Sequence, residues 1–332
     1  MARLPKRLLL GRFEDAIRQS GWNLLYLSND SHPARYQVYR EDRSHRVKVY
    51  IWNITHGGAT RAADEYRIQI TGIEKFEPDL NTRNLILGWW DEVAVFAGWD
   101  IRQHVGALGA SPSMQVSEGA LRQALLSGFA PYANRRRETA IAFRPDFVCT
   151  YIEFLEQMHD SGKVPAEADL LAKLSEDPDE VADEEIDEEV SSKRKFAVLS
   201  TKRALRALDF SRRVLSAYEH RCAICGVQLR LVDGAHILPV AHPDGTDQTA
   251  NGVALCALHH RAYDRGLVTF DSTFDVRINE PLVEALVDVD RGDGLRGFRK
   301  ALRPIILVPA DRRDRPAAKF IQKANHLRGW RL

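Results

Sequence analysis

Apolar and polar residues alternate along much of the first 150 residues, the pattern of strands that bury one face. The predicted strands cover residues 22–27, 36–39, 46–54, 66–71, 85–87 and 93–98. Apolar spacings of three and four residues instead predict helices at 12–20, 117–129 and 146–160. Ser117 is the expected N-cap of the second helix. This part of the chain therefore predicts a mixed or mostly antiparallel sheet with helices packed on it.

The pattern changes after residue 160. Residues 176–189 contain ten acidic residues and no basic one, a composition that disfavours a packed core. We interpret residues 161–196 as an acidic linker, either a solvated tether or an electrostatic shield for the basic half. Further on, the spacing predicts an amphipathic helix, a hairpin, a short strand and a terminal helix, at 198–219, 267–278, 305–308 and 317–327.

Length and charge suggest how the chain is divided. A chain of 332 residues favours two domains, which we place at residues 1–160 and 197–332. The net charge of +1 averages unlike parts, because from residue 191 onward 25 Lys and Arg accompany 15 Asp and Glu. A basic half suits a phosphate-backbone partner. No apolar run reaches the length of a membrane span, so we expect no membrane partner.

Four potential metal ligands occur as two pairs. Cys222 and Cys225 are separated by two residues, and Cys256 and His259 repeat that gap. Such spacing can close a tetrahedral zinc site; the alternative is that the cysteines are small buried hydrophobes and His259 is an ordinary helix residue. Since Cys149 alone stands outside this spacing, a disulfide framework is disfavoured and a reducing cytoplasm is expected.

Other polar residues of this stretch are not needed by the zinc, namely His236, Asn251, His260 and Asp264. Four positions separate the last two, so on a helix they share a face. A short helix can in this way present two ligands to a second, harder metal ion. We therefore predict one ion for folding and another for chemistry.

Three motifs carry a family resemblance: DGAHILP at 233–239, NGVALC at 251–256 and HHRAYDRGL at 259–267. In this order and spacing they resemble the HNH (His-Me finger, ββα-metal) endonucleases, over about residues 214–272. The likeness is greatest to members found in restriction enzymes, including modification-dependent ones. It implies a C-terminal ββα-metal domain with structural zinc. With the mixed sheet predicted for the N-terminal part, which we interpret as a recognition domain, the fold class is α+β.

The resemblance also implies roles for individual residues. His236 matches the general base, a task that suits imidazole because its pKa lies near neutrality. Asn251 matches the residue that supports the loop carrying the base. His260 matches a ligand of the catalytic Mg²⁺ or Mn²⁺, and Asp264 a position that supplies a second ligand in some members.

One position departs from the family pattern. Directly before the base, where Asp or His is common, this chain has Ala235, which cannot bind a metal. Asp233 is the nearest carboxylate, and we predict it as a ligand of the catalytic ion; the alternative is a structural acid in a turn.

Double-stranded DNA is the expected partner. We predict phosphate contacts from four arginines, with a solvated face as the alternative: Arg212, Arg213, Arg261 and Arg265. Arginines 135–137 could also contact phosphate or form a solvated loop. Three tryptophans could stack on bases or belong to the core: Trp89, Trp90 and Trp99.

Together these observations predict a metal-dependent DNA endonuclease of restriction type, with specificity from residues 1–160. Cutting both strands would need two active sites, so a homodimer is expected. A nuclease that cuts only modified DNA is one alternative. A non-cleaving, zinc-containing DNA-binding module is another, although it would have no need of His236, Asn251 and His260 together.

Overall fold

The computed structural model describes residues 3–28, 32–57, 61–134 and 138–332. The chain forms two compact units, Met1–Leu205 and Arg206–Leu332. The predicted recognition and nuclease domains, at 1–160 and 197–332, concern function and stay predictions. Across the described ranges, no helix has both the length and the apolar character needed to cross a bilayer.

The first unit is built on a mixed sheet. In chain order its elements are α1 (Lys6–Gln19), β1 (Asn23–Ser28), β2 (Ala34–Arg40), β3 (Arg43–His56), β4 (Glu65–Gln69), β5 (Arg83–Trp90), β6 (Val95–Trp99), β7 (Ser113–Ser117), α2 (Glu118–Ser127), β8 (Phe129–Ala133), β9 (Thr139–Phe143), α3 (Val148–Ser161), α4 (Pro165–Glu176) and α5 (Asp183–Glu189). The strand order is β1-β2-β3-β5-β6-β9-β8, with β4 between β3 and β7. The β3–β5 pairing is parallel and the other described pairings are antiparallel. The predicted mixed sheet is confirmed, and β7, β8 and β9 are additional strands.

Several details of this unit bear on the predictions. The Ser117 hydroxyl accepts a hydrogen bond from the Ala120 backbone amide at 3.1 Å, which confirms it as an N-cap. The side chains of Trp89, Trp90 and Trp99 are buried, so the core interpretation is the right one and base stacking by these rings is disfavoured. The arginine run 135–137 lies outside the described residues.

The acidic segment differs from the predicted solvated tether. It forms α4, α5 and the start of the next helix, and its buried apolar side chains include Leu170, Leu171, Leu174 and Ile186. The buried carboxylate of Glu167 accepts a hydrogen bond from Arg194 Nε at 2.7 Å. These apolar residues recur at helical spacing, and their burial outweighs the high density of surface charge.

The second unit contains a ββα arrangement. The remaining elements of the chain are α6 (Ser192–Ala217), β10 (Val232–His236), β11 (Gly252–Cys256), α7 (Ala257–Asp264), β12 (Val268–Phe270), β13 (Val276–Ile278), α8 (Glu280–Asp288), α9 (Leu295–Ala301) and α10 (Ala318–Leu327). The β10–β11 and β12–β13 pairs are antiparallel. The predicted hairpin and terminal helix are confirmed. Instead of a strand at 305–308, Ile305 makes a single bridge to Asp275.

Two glycines let helix α6 approach the β10–β11 pair closely. A Cβ atom on Gly234 would lie 2.9 Å from the Ser211 Cα atom, and one on Gly252 would lie 2.2 Å from a Val214 methyl carbon. Neither position has room for a side chain. Glycine at these positions thereby brings the Phe210 ring, on the same helix, to the end of β10.

Candidate functional site

The ββα arrangement presents the predicted site residues from adjacent elements. Asp233 and His236 lie on β10, Asn251 directly precedes β11, and α7 carries His260 and Asp264. In the antiparallel register, Asp233 is opposite Leu255 and His236 is opposite Gly252. Since β11 leads straight into α7, the pairing also fixes the distance from the strand residues to the helix.

The predicted zinc ligands converge. The ligand atoms of Cys222, Cys225, Cys256 and His259 all lie within 4.8 Å of one another. Two sulfurs at 2.3 Å from one tetrahedral centre would be about 3.8 Å apart, and a sulfur and an imidazole nitrogen about 3.6 Å apart. The Cys225–Cys256 sulfur distance is 3.9 Å, and His259 Nδ1 lies 3.6 and 3.3 Å from the sulfurs of Cys222 and Cys256. These donors therefore fit zinc.

The three thiols differ in acidity. Burial raises the pKa of Cys222, but hydrogen bonds with His259 and backbone amides outweigh this effect and lower it to about 6. Burial raises the pKa of Cys225 to about 12 and also raises that of Cys256. Since a thiolate is the form that binds metal, the contact with His259 favours the metal-binding form of Cys222.

The His236 imidazole is held on one ring face and at one nitrogen. Phe210 of α6 stacks on it with 3.7 Å between ring centroids and an interplanar angle of 4°. Nε2 lies 2.9 Å from Oδ1 of Asp247. Because a carboxylate only accepts, this contact assigns the proton to Nε2 and makes Nδ1 the acceptor. The ring is about a quarter exposed, so water can reach it.

Asn251 is fully buried and bonds to the loop that follows His236. Its Oδ1 accepts from the Leu238 amide at 2.9 Å, and its Nδ2 donates to the carbonyls of Leu238 and Thr246 at 2.9 and 2.8 Å. Its side chain is not exposed to solvent. This geometry suits the predicted supporting role.

His260 lies between two carboxylates. Its Nδ1 is 3.8 Å from Asp233 and its Nε2 is 3.6 Å from Asp264. The nearby carboxylate of Asp233 raises the pKa of His260, with a further contribution from Asp264. Asp233 lies two positions before Ala235, so on a strand the two share a face. On that face Ala235 has no ligand atom, and the Asp233 carboxylate is the group that lies near His260 of α7.

The predicted DNA-contacting arginines fall into two groups. Arg261 and Arg265 are exposed on and just after α7. Arg212 and Arg213 both pair with Asp209, at 3.0 and 2.7 Å. Arg213 also donates to Thr249 Oγ1 and to the Asp247 carbonyl, so it supports the loop as well as adding charge.

Two contacts of His236 were not predicted from the sequence, those with Phe210 and Asp247. Phe210 is one apolar residue among many on α6. Asp247 lies two residues after Gly245 in a loop, and acidic residues are common in turns. The only signal available beforehand was the position of Asp247 four residues before Asn251, within the motif region.

Comparison with protein families identifies this region. Residues 222–271 match the family model described as HNH endonuclease, and this range contains the zinc-type cluster, both strands and α7. The second unit contains an HNH endonuclease domain. HNH endonucleases depend on metal, and this domain makes the chain a DNA-cleaving hydrolase.

The part of the chain outside the HNH domain has one further match. Residues 45–152 match the family model MTaX1, described as Methylase-associated X1. Among solved structures, the chain is similar to one titled "Modification dependent TagI restriction endonuclease", with 12% identity, a TM-score of 0.30, and coverage of 83% of this chain and 80% of that one. So low a TM-score does not establish a shared fold. No curated protein gives a significant match.

Proposed function

We propose that this HNH protein is a restriction-type DNA endonuclease in which His236 is the general base. The observation that carries the proposal is the setting of His236, stacked on Phe210 and bonded through Nε2 to Asp247, on a strand whose partner leads into the helix of His260. A binding module without cleavage would not need an imidazole fixed in one orientation.

The chain's own residues would divide the reaction as follows. Nδ1 of His236 accepts a proton from the attacking water, while Asp247 fixes the ring and stabilises the imidazolium that forms. Asn251 keeps the loop after His236 in place. Asp233, His260 and Asp264 would supply the ligands of Mg²⁺ or Mn²⁺, since oxygen donors with one imidazole suit a hard ion. The two carboxylates lie at different ring nitrogens of His260, so the ion would share His260 with one of them. When bound, such an ion neutralises the charge that develops on the phosphate and the leaving oxygen.

The cysteine cluster would hold a structural zinc. All four ligand positions of a tetrahedral site are supplied by the protein, which is typical of structural rather than catalytic zinc. The zinc would join the 222–225 turn to the start of α7, and so support the helix that carries His260.

The remaining parts of the proposal concern recognition. Double-stranded DNA is the substrate, and residues 1–160 supply specificity. A homodimer would bring the two active sites that a double-strand cut requires. The match of residues 45–152 to a methylase-associated family supports a role in which DNA methylation matters. Either methylation of the DNA protects the recognition site from cleavage, or, in the alternative mode, methylation is required for cleavage.

The test is nicking of supercoiled plasmid with Mg²⁺. Wild-type protein and His326→Ala, which removes an exposed histidine, should nick DNA, whereas His236→Ala should be slower by at least about 100-fold. Equal nicking by all three proteins, or none by wild type on any substrate, would contradict the assignment. Running each protein on methylated and unmethylated plasmid separates the two restriction modes.

A further inference from the structure

Helix α10, near the C-terminus, contacts the loop between the predicted base and Asn251 at both ends and in the middle. We call residues 237–250 the His–Asn loop. At its start, Arg328 Nη1 donates to the Ile237 carbonyl at 2.9 Å. In the middle, Lys323 forms an ion pair with Asp244. At its end, the Ala317 amide donates to the Ala250 carbonyl at 2.9 Å.

The helix itself is anchored in the core of the HNH unit. Phe320, Ile321 and Ala324 are buried among the side chains of that core. Asn325 accepts from the Thr269 hydroxyl at 2.6 Å and donates to a backbone carbonyl of β12 at 2.9 Å. Because α10 is packed against the core of the HNH unit, its contacts can hold the His–Asn loop in a fixed position.

Arg328 contacts both sides of the predicted active site. One side is the Ile237 carbonyl, on the residue that directly follows His236. The other is Tyr263 of α7: the guanidinium lies over its ring at 4.4 Å, and Nη1 is 3.3 Å from its hydroxyl. The tyrosine hydroxyl also lies 3.4 Å from the Ile237 carbonyl. Tyr263 adjoins Asp264, so one guanidinium joins the chain beside the base to the chain beside the metal ligand.

We propose that Arg328 is a positioning residue that sets the geometry between His236 and the metal-binding helix α7. The proposal rests on the proposed nuclease function. Arg328 lies outside residues 222–271, the range that matches the HNH family model. In this proposal the C-terminal segment that carries Arg328 contributes to the geometry of the active site as well as to the packing of the core.

The chemistry of arginine fits this task. The guanidinium is planar and stays charged, so it can donate in its plane to a carbonyl while its face rests on an aromatic ring. A lysine ammonium could reach one of these partners but could not make both contacts in the same way. A displacement of about 1 Å between reacting groups can slow a reaction by about 100-fold, so a loosened contact should appear in the rate of the bound complex.

The experiment measures the nicking rate of supercoiled plasmid at saturating protein, with Mg²⁺, for Arg328→Met, Arg328→Lys and the control Arg331→Met. Arg331 is an exposed residue three positions further on. We expect Arg328→Met to be slower by about 10- to 100-fold and Arg328→Lys by about 10-fold. Arg331→Met should match wild type. The DNA dissociation constant and its salt dependence should stay unchanged for all three.

Other outcomes would overturn the proposal. One is a wild-type rate in Arg328→Met. Another is a normal saturating rate with weaker binding and a salt slope reduced by about one, which would make Arg328 a phosphate contact. Zinc content and thermal unfolding are measured in parallel. If Arg328→Met does not fold, Arg328→Lys decides: a wild-type rate in it refutes positioning. Failure of the wild-type protein to nick would instead refute the proposed nuclease function.

Discussion

Replacing Asp247 by asparagine should slow cleavage more than replacing it by alanine. In the wild type, Oδ1 of Asp247 accepts from Nε2 of His236 at 2.9 Å, and Oδ2 lies 3.5 Å from Arg206. Arginine can only donate, so an asparagine here would turn its oxygen to Arg206 and its NH₂ group to His236. That NH₂ needs an acceptor at Nε2, which moves the ring proton to Nδ1, the nitrogen that takes a proton from water in the proposed reaction.

The structure sets the expected magnitudes. Alanine leaves Nε2 to water, which can reach the site because the His236 and Asp247 side chains are 24% and 21% exposed. We therefore expect a loss of about 10-fold for Asp247→Ala. Asparagine stabilises the wrong tautomer, and we expect a loss of about 100-fold or more, equivalent to about 2.7 kcal/mol of activation free energy. Arg213 holds the Asp247 carbonyl at 2.8 Å, so the loop backbone should stay in place in both variants.

The assay is single-turnover nicking of supercoiled plasmid at saturating protein and Mg²⁺. DNA affinity should be unchanged, since Asp247 acts through His236. In a His236→Ala background, Asp247→Asn should have no further effect on the rate. The reasoning is refuted if Asp247→Asn cleaves at the wild-type rate, if alanine is the slower variant, or if the two losses multiply in the double variant.

Two further predictions concern stability. The HNH unit should contain one zinc, and removing it with a chelator or by Cys225→Ser should abolish cooperative unfolding of that unit. The reason is that structural zinc contributes about 10–16 kcal/mol in small domains, as much as the stability of a whole domain. Metal analysis with calorimetry checks this, and an unchanged Tm without zinc would contradict it. Burial lowers the pKa of His159, which contacts Tyr151 and Thr139, to about 4. As the pH falls, this histidine is therefore protonated first in the unfolded state, and the free energy of unfolding decreases between about pH 6.5 and about pH 4, by up to about 3 kcal/mol. Denaturant unfolding measured against pH should show this slope, and an equally steep slope in His159→Gln would rule out the assignment.

Some elements of the fold could be predicted because the interactions that form them are local. The alternation in residues 36–39 and 46–54 indicates strands, and the Ser117 hydroxyl caps the helix directly after it. The spacing of Cys222, Cys225, Cys256 and His259 indicates a metal cluster, because the two ligands of each pair are only three positions apart along the chain. The acidic segment 161–196 shows where this reasoning fails: its charge suggests a solvated chain, yet Leu170 and Leu174 are buried.

The sequence by itself determined the chemical groups of the site, since His236, Asn251 and His260 lie in motifs whose order and spacing can be seen along the chain. Only the tertiary structure decided how His236 is held. Phe210 stacks on it because Gly234 and Gly252 let α6 approach, and Asp247 meets it because the His–Asn loop folds back. Arg328 reaches the same loop from 91 residues away. Contacts at such separations depend on how whole elements pack, and no local pattern of residues encodes that packing.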